Sequence, residues 1–97
     1  MKRNEIVKLS KMLDKEGIPH EDMQLFDGIQ VNYPNKENCI CDAICHSFSY
    51  GHEQGLLEIM GLVDEEKVGD SVEGYLTAKE VFKRIRKHYK KNFIIVK

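Results

Sequence analysis

The sequence predicts an α+β fold: an antiparallel meander of three or four strands, packed with one helix before it and one after it. Three observations carry this reading. Helical periodicity is confined to the two ends of the chain, the segments between them are short and β-prone, and Asp27-Gly28 and the glycines of "GHEQG" separate those segments at hairpin distance. The 97 residues make one domain, 1–97, with no internal repeat, low-complexity tract or heptad run.

From about Asn4 to Glu16, Ile6, Leu9 and Leu13 recur at i, i+3 and i+7 with Val7 and Met12 beside them, the stripe of an amphipathic helix. Gly17 stands where a left-handed C-terminal cap is wanted, and Ile18-Pro19 does not readily continue a helix. In "EDMQLFDGIQVNYP", Asp27-Gly28 predicts the centre of a type I′ hairpin turn, because both central residues of that turn need positive φ. Phe26 then faces Ile29 across the pair. Val31 and Tyr33 continue that face, and Met23 and Leu25 fall on the other. The alternative is one strand over 23–33 with a bulge at Asp27-Gly28, which lowers the strand count from four to three.

"PNKEN" is turn chemistry, and "CICDAICHSFSY" reads as the longest strand, ending at the glycines 51 and 55. Alternation puts Ile40, Asp42, Ile44, His46 and Phe48 on one face and Cys39, Cys41, Ala43, Cys45 and Ser47 on the other. "LLEIMGLV" supplies the next strand. Residues 64–76, "DEEKVGDSVEGYL", read as an acidic connection in which "DEEK" makes one helical turn. Thr77 then caps a helix, Glu80 completes a capping box, and Leu76 packs on Val81 as a hydrophobic staple. Val81, Phe82, Ile85 and Tyr89 form its apolar stripe. The closing "FIIV" is too apolar to stand in water and docks as an edge strand or against the helices.

Composition bounds function. Apolar residues at 41% and charged residues at 32% give the balance of a soluble, folded domain. The first seventeen residues hold no apolar run fit for a signal peptide or membrane span, and three clustered cysteines do not form the even framework of a secreted scaffold. A cytoplasmic protein with reduced thiols and no membrane association is expected. Net charge is only −1, yet residues 37–76 carry nine acidic groups against Lys67, and residues 77–97 carry eight basic groups against Glu80.

The stretch "NCICDAICHSFSYGHE" invites a zinc or nucleophile reading, and strand geometry opposes both. Residues two apart on a strand lie nearly 7 Å apart at a rise of about 3.4 Å each. Thiolates bound about 2.3 Å from one ion cannot be strung so widely, so Cys39, Cys41 and Cys45 read as a small-residue face beneath a helix. Neighbouring Cys45 and His46 point to opposite faces and cannot share a proton. His20 and His52 reach a cysteine only through the fold. The order helix, strands, helix matches the core of restriction-endonuclease-like nucleases, but Glu65-Glu66-Lys67 falls in a loop, and Glu58 is followed by Met60 where lysine is needed. No catalytic, cofactor-binding or metal-ligating set emerges, and no cofactor is expected.

The basic helix is the most informative functional feature. Lys79, Lys83, Arg84, Arg86, Lys87, Lys90 and Lys91 face outward as candidate contacts for nucleic acid or an acidic partner. Its place in the chain order also resembles the double-stranded RNA-binding domain, although "TAKE" stands where that family opens its helix with a lysine cluster. The plainer reading is a solvated face attracted to the acidic connection 64–73. Tyr33, Tyr50 and Tyr75 are expected to be half-buried, His88 to join the basic face, and "GHEQG" to be a polar turn.

Taken together, "LFDGIQVNYP", "HSFSYGHEQGLLEIMGL" and "DSVEGYLTAKEVFKRIRKHY" resemble a family of small proteins carried by prophages and mobile elements of gut Firmicutes, a likeness that covers nearly the whole chain. The resemblance implies an accessory protein acting through protein–protein contact, with a protein partner or a homodimer, and it brings no activity to any residue. The alternatives are a nucleic-acid-binding module using the basic helix and a divergent or inactive nuclease.

Overall fold

The computed structural model describes residues 4–67, 69 and 71–93. Helix α1 (Glu5–Glu16) leads into β1 (Glu21–Leu25), β2 (Gly28–Tyr33), β3 (Cys41–Cys45), a short 3-10 turn (His52–Gln54), β4 (Leu57–Met60), β5 (Val72–Leu76) and α2 (Ala78–Asn92). The strands form one antiparallel sheet in the order β1-β2-β3-β4-β5, and the fold is α+β.

Both helices pack on one face of the sheet. Ile6, Leu9 and Leu13 of α1 and Val81 and Ile85 of α2 join Val31, Tyr33, Cys41, Ala43, Leu57, Ile59 and Leu76 in one buried cluster. Burying each such side chain stabilises by roughly 1.5–3 kcal/mol. Gly17 closes α1 in the left-handed conformation (φ 70°), and Thr77 and Glu80 close the capping box at the start of α2. Alternation leaves Met23, Gln30, Asp42, Ile44, Glu58 and Met60 on the opposite face, which no described helix covers.

Three segments depart from the sequence reading. Residues 72–76 are not connection but a fifth strand, paired with β4 through a register shift between Leu57 and Ile59. Its mixed composition hid it, because Glu73 is buried on the core side, Gly74 is apposed to Tyr50, and Tyr75 stands at φ 60°. The first hairpin turns one residue earlier than expected. Leu25 pairs with Gly28, so Phe26 and Asp27 form the loop and Phe26 does not face Ile29. Gly28 serves close approach instead: a Cβ there would lie 1.8 Å from the Cys45 carbonyl oxygen.

The strand expected over 39–50 holds only 41–45. His46 N–H donates to Ser49 Oγ at 2.9 Å, Ser49 N–H donates to the His46 carbonyl at 3.0 Å, and Phe48 N–H donates to His46 Nδ1 at 3.0 Å. Those local side-chain bonds offer the backbone a turn in place of a ladder. Beyond Phe93, the expected docking of "FIIV" lies outside the described residues.

Candidate functional site

The antiparallel order gathers the β1–β2 loop, the β3–β4 connection, the end of β5 and the first turns of both helices at one end of the sheet. There Glu5, only 3% exposed, joins the helix starts: its Oε1 accepts the Ala78 N–H at 2.8 Å, and its own N–H donates to the Gly55 carbonyl at 3.4 Å. A carboxylate at two helix N-termini is favoured by the exposed amide dipoles of both.

Four large aromatics project from this end. Phe26, Phe48, Tyr50 and Tyr75 are 65%, 77%, 62% and 60% exposed. Phe26 meets Phe48 edge-on at 5.5 Å and the buried His46 at 5.1 Å. Phe48, Tyr50 and Tyr75 line a hollow of about 200 Å³ together with Glu53 and Gln54. Phe26 and Tyr75 also have positive φ, 55° and 60°, a conformation that is strained for a bulky side chain.

Carboxylates surround the rings. Asp27 accepts from the Ser47 N–H at 2.9 Å and from the Ser47 hydroxyl, and those bonds hold its pKa below the ordinary carboxylate range. Glu58 Oε1 accepts the Tyr50 N–H at 2.9 Å. The aromatic end was not legible as a site, since Tyr50 and Tyr75 read as half-buried; they are exposed, whereas Tyr33 is wholly buried.

Of the expected basic set, Lys79, Lys83, Arg86, Lys87, Lys90 and Lys91 are exposed along α2. Arg84 is not among them. Its guanidinium turns onto Glu73 with bonds of 2.7 and 3.0 Å and also donates to the Leu62 carbonyl at 3.2 Å, so the acidic segment and the basic helix meet within one chain. That pairing lowers the Glu73 pKa and raises that of Arg84. Arg86 approaches Glu16 at 3.6 Å. His88 does not join the lysine face but pairs with the Tyr33 hydroxyl at 2.8 Å.

Cys41 and Cys45 share the core-side face of β3 as expected, and Cys39 does not, because it lies outside the strand. Cys41 is buried, Cys45 half-buried, and Cys39 precedes the strand with its thiol 3.6 Å from Asn32 Oδ1. Burial pushes the Cys41 thiol up to about 12, which makes it a poor nucleophile. Cys45 lines a shallow hollow with His52 and Asp27, but His52 Nδ1 is bonded to the Ser49 carbonyl at 3.1 Å. His20 lies between Asp14 and Asp22, at 2.6 Å from each. Glu65, Glu66 and Lys67 lie in a turn after β4. Among the described residues no three His, Cys, Asp or Glu side chains are grouped to hold a metal ion, and no helix is long and apolar enough to cross a membrane.

Compared with known proteins, the chain matches no family model, no curated protein and no solved structure.

Proposed function

We propose that this chain is a non-enzymatic interaction module that binds a protein partner through its aromatic end, in the accessory role that its resemblance to proteins of prophages and mobile elements implies. The observation that carries the reading is the placement of Phe26, Phe48, Tyr50 and Tyr75, each at least 60% exposed and two of them on strained backbone. Strain of roughly 1–3 kcal/mol at a bulky residue is tolerated where the projecting side chain has a use. A few hot-spot residues carry most of the binding energy at protein interfaces, and tyrosine is among the types enriched there. An acidic surround disfavours phosphate backbones at this end.

A photo-crosslinking residue at Phe48 tests the reading in host cells. A discrete protein adduct, lost when Phe26 and Tyr75 are both changed to Asn, is the expected result; absence of any adduct removes the proposal. Light scattering separates a second copy of the chain from a different protein.

A second reading rests on the lysine stripe Lys79, Lys83, Lys87 and Lys90, exposed at helical spacing. It makes the chain a nucleic-acid binder with affinity that falls steeply as salt rises, by a log–log slope of about −0.9 for each phosphate neutralised on duplex DNA. A Lys83→Glu, Lys87→Glu variant that binds duplex as well as the parent eliminates it.

A further inference from the structure

Building on the protein-binding reading, we infer that the hollow between Phe48, Tyr50 and Tyr75 is a receptor for a cationic side chain, a lysine or arginine presented by the partner. Its size, about 200 Å³, suits an ammonium or guanidinium group rather than a cofactor. Three of its lining residues, Phe48, Tyr50 and Tyr75, are aromatic, and aromatic ring faces attract cations. Glu53 adds a carboxylate at the rim, Ser47 and Ser49 add hydroxyl groups, and no lysine or arginine among the described residues lines the space. Such a lining disfavours an anion, and its polar part gives little return for a purely apolar group.

The walls are set before a ligand arrives. A Cβ at Gly74 would lie 2.4 Å from the Tyr50 Cβ, and one at Gly51 would lie 3.1 Å from the Tyr75 Cα. Two glycines therefore let the turn at 50–51 rest directly on the bulged end of β5. Tyr75 N–H reaches the Tyr50 carbonyl at 3.5 Å, and Glu58 holds the Tyr50 amide from below. Preorganised walls spare the ordering that a flexible loop would require on binding. Tyr75, at a strained φ of 60°, is one of the residues that line the hollow.

The occupant is assigned by charge. Apart from His52, the charged groups around the rings, Asp27, Glu53 and Glu58, are all acidic. Among the described residues the chain's own lysines lie on α1 (Lys8, Lys11 and Lys15), on α2 and in connections (Lys36 and Lys67), and none of them lines the hollow. The acidic surround therefore assigns the hollow to a basic segment of a different protein, and dimerisation of the free chain that is lost in Tyr75→Asn would overturn that assignment in favour of a second copy.

Amide-detected NMR titration of the whole chain with Nα-acetyl-arginine amide and Nα-acetyl-lysine amide tests the assignment, with Nα-acetyl-norleucine amide as the neutral counterpart. The two cations should give saturable shifts confined to residues 47–54 and Tyr75, with dissociation constants in the millimolar range. Norleucine amide should give none. Tyr75→Asn should weaken the cation about 3- to 10-fold, and Glu53→Gln about twofold. Equal shifts from norleucine amide, or no saturable shift from either cation, overturns the assignment. A cross-linked partner whose capture is indifferent to Glu53→Gln and to neutralising its own basic residues also overturns it, and leaves the protein-binding reading intact. Cation shifts at these residues without any cross-linked partner support the pocket and count against that reading.

Discussion

Glu5 Oε1 accepts the Ala78 N–H at 2.8 Å, so the first residue of α1 satisfies the first amide of α2 across 73 positions of sequence. The carboxylate is 3% exposed and also meets Lys8 Nζ at 3.2 Å. Thr77 and Glu80 cap their own helix, but Ala78 N–H is served from outside it.

Removing that acceptor leaves a buried donor unsatisfied beside two helix starts. Glu5→Ala should destabilise by about 2 kcal/mol and lower the melting temperature by roughly 10 °C. Glu5→Gln keeps an acceptor and should lose about half as much. Urea unfolding of the two variants measures this, and equal stability of Glu5→Ala and the parent would show that water serves Ala78 as well.

Glu73 and Arg84 give a second expectation, with a sign fixed by linkage. Glu73 titrates below its ordinary 4.5, chiefly because Arg84 donates to its carboxylate. The folded chain therefore holds that proton less tightly than the unfolded chain. The pair's contribution is complete above 4.5 and is lost as pH falls through the lower folded value. Acid unfolding of Glu73→Gln should begin from a lower stability and fall less steeply in that window. Arg84→Ala, which strands a buried carboxylate, should destabilise by about 2–3 kcal/mol, and Glu73→Met with Arg84→Met should recover much of the loss.

His20 reverses that sign. Burial of its ring lowers the pKa, but hydrogen bonds and charge from Asp22 and Asp14 outweigh it, and the net shift is upward from 6.5. Asp22 is itself held by the Ser10 hydroxyl, so α1 and β1 both face the ring. The clamp's stabilisation is complete below 6.5 and is lost as pH rises through the higher folded value. Thermal melts of the parent should decline across that interval, whereas His20→Gln should stay flat there. A ring titration by NMR with its midpoint below 6.5 would contradict the clamp.

How far the sequence disclosed all this depended on the kind of physics at each segment. The helices were legible because their stripes and caps are local: Leu9 and Leu13 repeat, Gly17 caps, and Thr77 with Glu80 forms its box within four residues. β5 was hidden because Glu73 is a core-side residue only by virtue of Arg84, eleven positions away on another element. Asp27-Gly28 misplaced the first turn because Gly28 answers to the Cys45 carbonyl across the sheet. The aromatic end stayed invisible for the same reason. Phe26, Phe48, Tyr50 and Tyr75 come from two connections and one edge strand, and only the meander brings them together.

Phe26 separates folding from binding most cleanly. Its left-handed φ of 55° suits Asn far better than a bulky ring, so Phe26→Asn relieves strain of roughly 1–3 kcal/mol. The same change removes edge contacts to His46 and Phe48, each contributing about 0.5–1.5 kcal/mol. The two effects oppose, and the net change in stability should stay within about 1 kcal/mol. Capture of a protein partner should nevertheless fall tenfold or more, as expected of an exposed anchor ring. Paired urea unfolding and cross-linking yields decide between the alternatives. A large loss of stability with undiminished capture would make Phe26 a structural residue, because its ring would then contribute more to holding the β3–β4 turn than its strain takes away.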